Sequence, residues 1–246
     1  HIYPLYIHEM SYFIPSLDEW SRVYEQSKNE KGSKKADTSG GFTVEDEAET
    51  KAVKDILNRR RHLVLLAQNQ TGLNNIFQLI SQSYKPGNFY RFPRIDYNLL
   101  QQHNEGIIAS SACLGGVYAG DLWENMDNGD EAILNAMRKT TENMQRILGD
   151  RWYAELQWFK HPTQMKLNSL IIQVAKEYDV KLISTADSHY FNPDVWKSRE
   201  LYKRFRPGAT AFFGEMADDL EEYGMELYPK NGDQMFASYK KYSSEL

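Results

Sequence analysis

Apolar runs of strand length alternate with segments of helical spacing along most of the chain. In the segment 71–84, for example, Leu73, Ile76, Phe77 and Ile80 recur at the spacing of one helix face. Strand-like runs occupy 5–14, 62–69, 107–116, 151–159 and 181–189, and helical patterns occupy 44–61, 71–84, 95–106, 130–148, 162–179 and 192–205. Strands that alternate with helices predict a parallel β/α architecture.

One long polar segment interrupts this alternation. The sequence YEQSKNEKGSKKADTSGGF, at 24–42, is charged, contains glycine and serine, and shows no hydrophobic period. A segment of this composition buries too little apolar surface to fold by itself. We therefore predict a flexible insertion at 25–41. Its lysines could touch a phosphate backbone, although a solvated loop explains them more simply.

Composition narrows the class of protein. The chain has 246 residues, of which 41% are apolar and 26% charged, with a formal net charge of −5. An acidic balance argues against a basic module that coats DNA. The single cysteine excludes an internal disulfide and fits a reducing compartment. No apolar run is long enough to span a bilayer, and no signal peptide is recognised, so a cytoplasmic protein without a membrane partner is expected.

An acid and a histidine stand two residues apart where the last predicted strand ends. Asp187 and His189 follow the strand-like sequence KLIST, and side chains at i and i+2 of a strand share one face. In parallel β/α folds, functional sites collect at the carboxyl ends of strands. The side chains with metal-ligand chemistry near predicted strand ends are Glu9, His62, Cys113, Asp187 and His189.

Each of these residues also has an ordinary structural explanation. The Asp187–His189 pair alone fits a polar strand end that faces water. His62, which opens its strand, fits a hydrogen-bonded core histidine, and Cys113 fits a small buried hydrophobic residue. Glu9 has lysines available as ion-pair partners. Spacing alone therefore leaves the metal site and these alternatives open.

Several segments, in order, resemble one family. They are IYPLYIHEMSYFIP, which places Pro4 five residues before Glu9, then HLVLLAQNQTGLNNIFQLISQSY, FYRFPRIDYNLLQQHNEGIIASSACLGG and ISTADSHYFNPD. All four are similar to the N-terminal PHP (polymerase and histidinol phosphatase) domain of bacterial DNA polymerase III alpha subunits. The tail MADDLEEYGMELYPKNGDQM resembles the stretch that leads from this domain to the polymerase core.

The resemblance implies a fold and a domain division. The fold class would be α/β, a PHP-type distorted (β/α)7 barrel, incomplete at the N-terminus. The PHP domain would span 1–205, and a connecting segment toward the polymerase core would span 206–246.

The resemblance also implies a function in DNA replication. Glu9, His62, Cys113, Asp187 and His189 fall on metal-ligand positions for zinc, manganese or magnesium. The domain would act as a metal-dependent 3′–5′ proofreading exonuclease or as a scaffold. Its partners would be DNA and replisome subunits such as a proofreading subunit and the sliding clamp. The alternatives are a stand-alone PHP phosphoesterase acting on a small phosphate ester, and a structural remnant without metal.

The chain departs from the family pattern at its N-terminal end. The pattern begins with an H-x-H pair, then an acid, then an acid–His–Gly turn, and this sequence has none of these. Ile7 and His8 stand where glycine and cysteine often precede the glutamate, and Ala186 stands where asparagine precedes the closing acid. We therefore expect a chain without the family's N-terminal segment, an incomplete ligand set, and poor nuclease activity of the chain alone.

Overall fold

The computed structural model describes residues 12–33, 56, 59–90, 92–199 and 226–243. The chain divides into two compact units. The first consists of His1–Ala109 and Glu142–Arg151, and the second consists of Ser110–Thr141 and Trp152–Leu246.

The described residues form a mixed α/β structure. The strands are β1 (Tyr12–Phe13), β2 (Val64–Ala67), β3 (Phe89–Tyr90), β4 (Phe92–Ile95), β5 (Ile107–Ser110), β6 (Trp152–Gln157) and β7 (Lys181–Thr185). The helices are α1 (Leu17–Ser33), α2 (Gln70–Ser83), α3 (Tyr97–Gln102), α4 (Val117–Asn125), α5 (Asp130–Leu148), α6 (Pro162–Tyr178) and α7 (Gly232–Tyr242). Short 3₁₀ turns cover Met126–Asn128, Gly149–Arg151 and Pro193–Val195.

The first unit contains a three-stranded sheet in the order β1-β4-β3. β1 is parallel to β4, with Tyr12 opposite Arg94, whereas β3 and β4 form an antiparallel pair. The sequence pattern did not predict β3 and β4, and their antiparallel pairing adds a hairpin to the predicted β/α alternation. The two strands are separated by a single residue, and a parallel pair would need a long crossover connection.

Helix α2 packs against β2 and β4 in the same unit. Its N-cap is Asn69, whose Oδ1 accepts a hydrogen bond from the Gly72 amide at 2.9 Å. The Gly106 carbonyl accepts from the Gln68 amide at 2.8 Å, just before the helix begins. A Cβ on Gly72 would lie 1.9 Å from the Gly106 oxygen, so only glycine permits this approach.

Asp96 joins two helices in the core of the first unit. Its side chain is 2% exposed; Oδ1 accepts from the Leu99 amide at 2.9 Å, and Oδ2 accepts from the Leu17 amide at 3.1 Å. One carboxyl group therefore caps the N-termini of both α3 and α1. The apolar cluster that includes Ile14, Leu17 and Trp20 packs beside these caps.

The second unit contains the parallel pair β6 and β7, with Tyr153 opposite Lys181 and Gln157 opposite Thr185. Helix α6 connects these strands and packs against both. It starts at Pro162, as the sequence predicts, and ends where Asp179 takes the left-handed conformation. Its apolar face buries Leu167, Ile171 and Val174, so the helix predicted at 162–179 is confirmed.

The predicted start of the flexible insertion differs from the structure. Helix α1 continues to Ser33, so the first part of the predicted insertion 25–41 is helical. The helix begins with the Ser16 hydroxyl accepting from the Glu19 amide and buries Leu17 and Trp20 on the core. Packing of this first part stabilises the polar remainder of the helix. A search for a hydrophobic period does not detect such a polar helical segment. Residues 34–41 lie outside the described part, and the flexibility of the insertion stays a prediction.

Other predictions are covered only in part. Of the predicted strand 5–14, the structure describes β1, and of the predicted helix 44–61 it describes Ile56 as helical, together with 59–61. Residues 226–243 belong to the same compact unit as 152–199. The boundaries of the compact units therefore differ from the predicted domain division at 205. That division stays a prediction. Among the described residues, no helix is both long and apolar enough to cross a membrane.

Candidate functional site

Asp187 and His189 lie in the loop after β7, two and four residues beyond its last residue. The Asp187 backbone has a φ of 46°, a left-handed conformation that few residues other than glycine adopt. The His189 and Tyr190 amides both donate to the Leu227 carbonyl, at 2.9 and 3.3 Å. The Tyr190 hydroxyl accepts from the Leu227 amide at 2.9 Å. Hydrogen bonds to Leu227 therefore anchor the loop at His189 and Tyr190.

The His189 ring is oriented by its own loop. Its Nδ1 lies 2.5 Å from the Asp187 carbonyl oxygen and 3.9 Å from the Asp187 Oδ2. A carbonyl oxygen can only accept, so Nδ1 carries the hydrogen and a neutral ring keeps its lone pair on Nε2. Histidine ligands of metals in proteins usually show this arrangement, with the second ring nitrogen donating to a carbonyl or carboxylate. The side chain is 36% exposed and accessible to a ligand.

Cys113 lies in the loop after β5. The Gly115 amide donates to its Sγ at 3.4 Å, and the Gly116 amide donates to its carbonyl at 2.7 Å. Ala112, immediately before it, has a φ of 60°. Burial, together with the negative charges of Asp187 and Glu155, raises the pKa of the thiol to about 12. At neutral pH the thiol is protonated, so it can ligate a metal only after it loses its proton.

Glu155 is a residue of this region that the sequence interpretation missed. It lies on β6, is 6% exposed, and contributes to the raised pKa of Cys113. Its Oε1 accepts from the Ser110 hydroxyl, and its Oε2 accepts from the Thr185 hydroxyl at 3.0 Å. The signal was present in the segment WYAELQWF, because a carboxyl group in a strand of otherwise apolar or aromatic neighbours needs buried partners.

The predicted ligand His62 belongs to the first unit. His62 is half-buried, and its ring centroid lies 5.9 Å from that of Tyr12. It follows Arg61, whose backbone pairs with Phe13 through two hydrogen bonds. Glu9 lies outside the described residues. The convergence of all five predicted ligands on one cleft therefore stays a prediction.

The donor chemistry of the second unit fits a divalent metal, although the donor set is incomplete. Carboxylate, imidazole and thiolate together suit zinc or manganese, and the His189 tautomer leaves a nitrogen for a ligand. Within the described part of the chain, however, no three His, Cys, Asp or Glu side chains come together as a metal-binding group. The assignment of Asp187, His189 and Cys113 to a metal site therefore stays a prediction, and such a site would need further donors.

Comparison with models of known protein families identifies the family of this chain. A family model described as "PHP domain" matches residues 16–158, more than half of the chain.

The chain belongs to the PHP domain family.

Curated proteins with high similarity to this PHP domain are DNA polymerase III alpha subunits. The chain is 39% identical over 189 residues to the DNA polymerase III subunit alpha of Aquifex aeolicus, covering 73% of the chain and 15% of the relative. Identity is 32% over 179 residues to that of Thermus aquaticus, covering 72% and 14%. It is 36% over 176 residues to that of Deinococcus radiodurans, covering 71% and 12%.

The PHP domain therefore corresponds to a small part of these relatives. The family match ends at residue 158, before the Asp187–His189 loop but beyond His62 and Cys113. The resemblance read from the sequence motifs is confirmed at the level of the family and of similarity to DNA polymerase III alpha subunits.

Proposed function

We propose that this PHP domain is the PHP portion of a replicative DNA polymerase III alpha subunit. The observation that carries the proposal is the similarity to three alpha subunits over more than two thirds of the chain. The proposal places the domain in DNA replication in the bacterial cytoplasm. Its partners would be DNA and other replisome subunits, including a proofreading subunit and the sliding clamp.

The proposed chemistry is metal-dependent hydrolysis of a phosphodiester at a primer 3′ end. Divalent zinc, manganese or magnesium, when bound, would supply a Lewis acid for a phosphate oxygen and an activated water. Asp187, Cys113 and the Nε2 of His189 would hold part of the metal set, while the ligand roles of Glu9 and His62 stay predictions from the family resemblance. Deprotonated Cys113 would favour the softer of these metals.

The role of each side chain follows from its surroundings. The Asp187 carbonyl fixes the His189 ring in the tautomer that presents Nε2. The Leu227 carbonyl holds the His189 amide at 2.9 Å and limits movement of the loop. Burial keeps the Cys113 thiol protonated without a cation beside it, so metal binding would release a proton from this residue.

A second function, a scaffold for a separate proofreading subunit, is favoured by one specific observation. The described residues do not bring three potential ligands together. A nuclease with two metals needs ligands that fix the metals about 3.5–4 Å apart, with positions left for water and substrate. We therefore expect this chain alone to be a poor nuclease, whichever role the domain has in a longer protein.

The test measures release of nucleotides from a labelled primer 3′ end, with manganese or zinc. The chain is compared with the same chain fused behind an N-terminal segment that carries the family's H-x-H pair. We expect weak hydrolysis by the first and stronger hydrolysis by the second, which His189→Ala removes. His103→Ala, at a histidine outside the proposed site, is the matched control.

Two results would contradict the proposal. Strong hydrolysis by the chain alone that survives changes at Asp187 and His189 would assign the activity to another site. An inactive fused chain that binds a proofreading subunit would instead support the scaffold.

A further inference from the structure

A buried carboxyl group links the strands that precede two of the proposed ligands. Glu155 stands on β6 and contacts the last residue of β5, Ser110, and the last residue of β7, Thr185. Its backbone amide donates to the Ser111 hydroxyl at 2.9 Å. Cys113 follows Ser111 by two residues, and Asp187 follows Thr185 by two residues. One side chain thus touches the chain just before both loops.

The Thr185 hydroxyl takes part in two hydrogen bonds. Its hydroxyl donates to Glu155 Oε2 at 3.0 Å and lies 3.3 Å from the Gln157 Nε2, which donates to it. Gln157 lies opposite Thr185 in the parallel register of β6 and β7 and is 2% exposed. The Asn168 side chain accepts from the Gln157 amide and donates to its carbonyl, the latter at 2.9 Å. The hydroxyl therefore has both its donor and its acceptor capacity in use in a part-buried network.

The loops that follow these anchored residues contain strained backbone. Ala112, with a φ of 60°, lies between Ser111 and Cys113, and Asp187 itself has a φ of 46°. Non-glycine residues in this region of backbone conformation are strained and persist where the surroundings fix them. The hydrogen bonds of Glu155 fix the chain immediately before both of these residues.

We propose that Glu155 is a positioning residue that sets the two loops carrying Cys113, Asp187 and His189 relative to each other, through the hydroxyls of Ser110, Ser111 and Thr185. The proposal rests on the proposed metal site and adds a residue that acts through the strands preceding the ligands. Loss of the Glu155 hydrogen bonds lets Ala112 and Asp187 relax from their left-handed backbone conformations. The donor atoms then leave the arrangement that a metal requires.

The linkage makes a distinctive prediction because it is transmitted across β6. Thr185→Val removes a hydroxyl and keeps the shape of the side chain. We expect it to shift the backbone amide resonances of His189, in its own loop, and also of Cys113, in the other loop. Thr185→Ser keeps the hydroxyl and should restore both resonances.

Thr141→Val is the matched control. Thr141 is fully buried in the same unit, where its hydroxyl contacts the Tyr118 hydroxyl at 2.7 Å and donates to the Met137 carbonyl at 2.8 Å. Its loss removes a buried hydrogen bond without touching Glu155. A general effect of lost stability would therefore appear in this variant as well.

The experiment uses the full 246-residue chain, labelled for amide spectra and titrated with cobalt(II), whose thiolate charge-transfer band reports on Cys113. Thr185→Val should weaken cobalt affinity by about 10- to 100-fold, the usual effect of losing a residue that orients ligands. Thr185→Ser and Thr141→Val should stay within a few-fold of the unchanged chain.

The failures of the two proposals are distinguishable. Absence of the thiolate band in the unchanged chain at all cobalt concentrations would reject Cys113 as a ligand in this chain, and the amide shifts then decide the role of Glu155 by themselves. A Cys113 resonance that Thr185→Val leaves in place would overturn the positioning role, as would an equal loss of affinity in Thr141→Val.

Discussion

At the scale of single residues, a strict steric requirement is the close approach of Gly72 to Gly106. Gly72 stands in the first turn of α2, where alanine would normally be favoured over glycine by about 1 kcal/mol. A Cβ there would lie 1.9 Å from the Gly106 carbonyl oxygen and 2.6 Å from its carbon. Both atoms are backbone, so neither can move aside as a flexible side chain would.

Gly72→Ala should therefore lower the free energy of unfolding by about 2 kcal/mol or more, because displacement of backbone outweighs the gain in helix propensity. Urea unfolding measures the change. Gly232→Ala, at the start of α7, meets no atom within 4 Å and should be neutral or slightly stabilising. Equal effects of the two changes would show that the close approach is not a real constraint.

The candidate ligands show a second kind of residue-level requirement. Ala112 and Asp187 adopt left-handed conformations although neither is glycine, and each adjoins or is a proposed ligand. Asp179 adopts the same conformation at the end of α6, where it is an ordinary helix cap. Only the first two lack such a local explanation, which is why they point to the site.

At the scale of elements, one carboxyl group orients two helices of the first unit. Asp96 caps both α3 and α1 from a buried position, so its loss leaves two backbone amides without their acceptor. Asn69 caps α2 alone.

Asp96→Ala should cost about 2–4 kcal/mol in the free energy of unfolding, and Asn69→Ala about 1 kcal/mol, because an ordinary cap contributes about 1 kcal/mol and buried unsatisfied amides cost more. Asp96→Asn should fall between the unchanged chain and Asp96→Ala, since one amide oxygen can serve only one cap. Chemical denaturation of the three variants checks the order. A cost for Asp96→Ala no larger than for Asn69→Ala would contradict the double cap.

A salt bridge joins α5 and α6 in the second unit. Arg138 donates to both carboxylate oxygens of Glu177, at 2.7 and 3.1 Å, and also to Glu131 at 2.8 Å. Hydrogen bonding to Arg138 lowers the pKa of Glu177 to about 2. Because this pKa is lower in the folded state than in the unfolded chain, the pair stabilises the fold above the ordinary glutamate range and loses that contribution as pH falls toward about 2.

Glu177→Gln should therefore flatten the dependence of stability on pH between the usual glutamate pKa and about 2. Arg138→Gln should have the same effect, and the double change should add nothing further. The effect should shrink in high salt, since the pair is at the surface. Denaturation midpoints across this pH range provide the measurement, and a profile that Glu177→Gln leaves unchanged would rule the contribution out.

At the scale of the whole molecule, metal binding should be linked to stability. A ligand that binds only the folded state at 100 times its Kd raises the free energy of unfolding by about 2.7 kcal/mol. Because Asp187, His189 and Cys113 are only part of a proposed ligand set, we expect a rise in Tm only at high zinc or manganese concentrations.

A chelator should reverse this rise, and His189→Ala should abolish it, whereas His103→Ala should leave it unchanged. Thermal unfolding with and without metal tests the expectation. A rise in Tm at low metal concentration that is insensitive to His189→Ala would place the metal elsewhere in the chain.

The sequence predicted the elements that have a clear period and clear ends. The helix at 130–148 and the helix opened by Pro162 have the expected bounds, and the strand cores of β2, β6 and β7 lie within the predicted runs. The family was also readable, because several motifs occur in the same order as in the alpha subunits. Local periodicity, proline and short motifs carry this information without any knowledge of contacts.

Tertiary structure decided what depends on partners distant in the chain. The polar end of α1 is helical because Leu17 and Trp20 anchor its beginning, and β3 and β4 pair antiparallel because one residue separates them. Glu155 reads in the sequence as one more strand residue. Its role becomes visible only when Ser110 and Thr185, 45 and 30 residues away, are brought to its two oxygens. A sequence pattern records the spacing along one segment, whereas the environment of a buried polar group is set by which other segments pack against it.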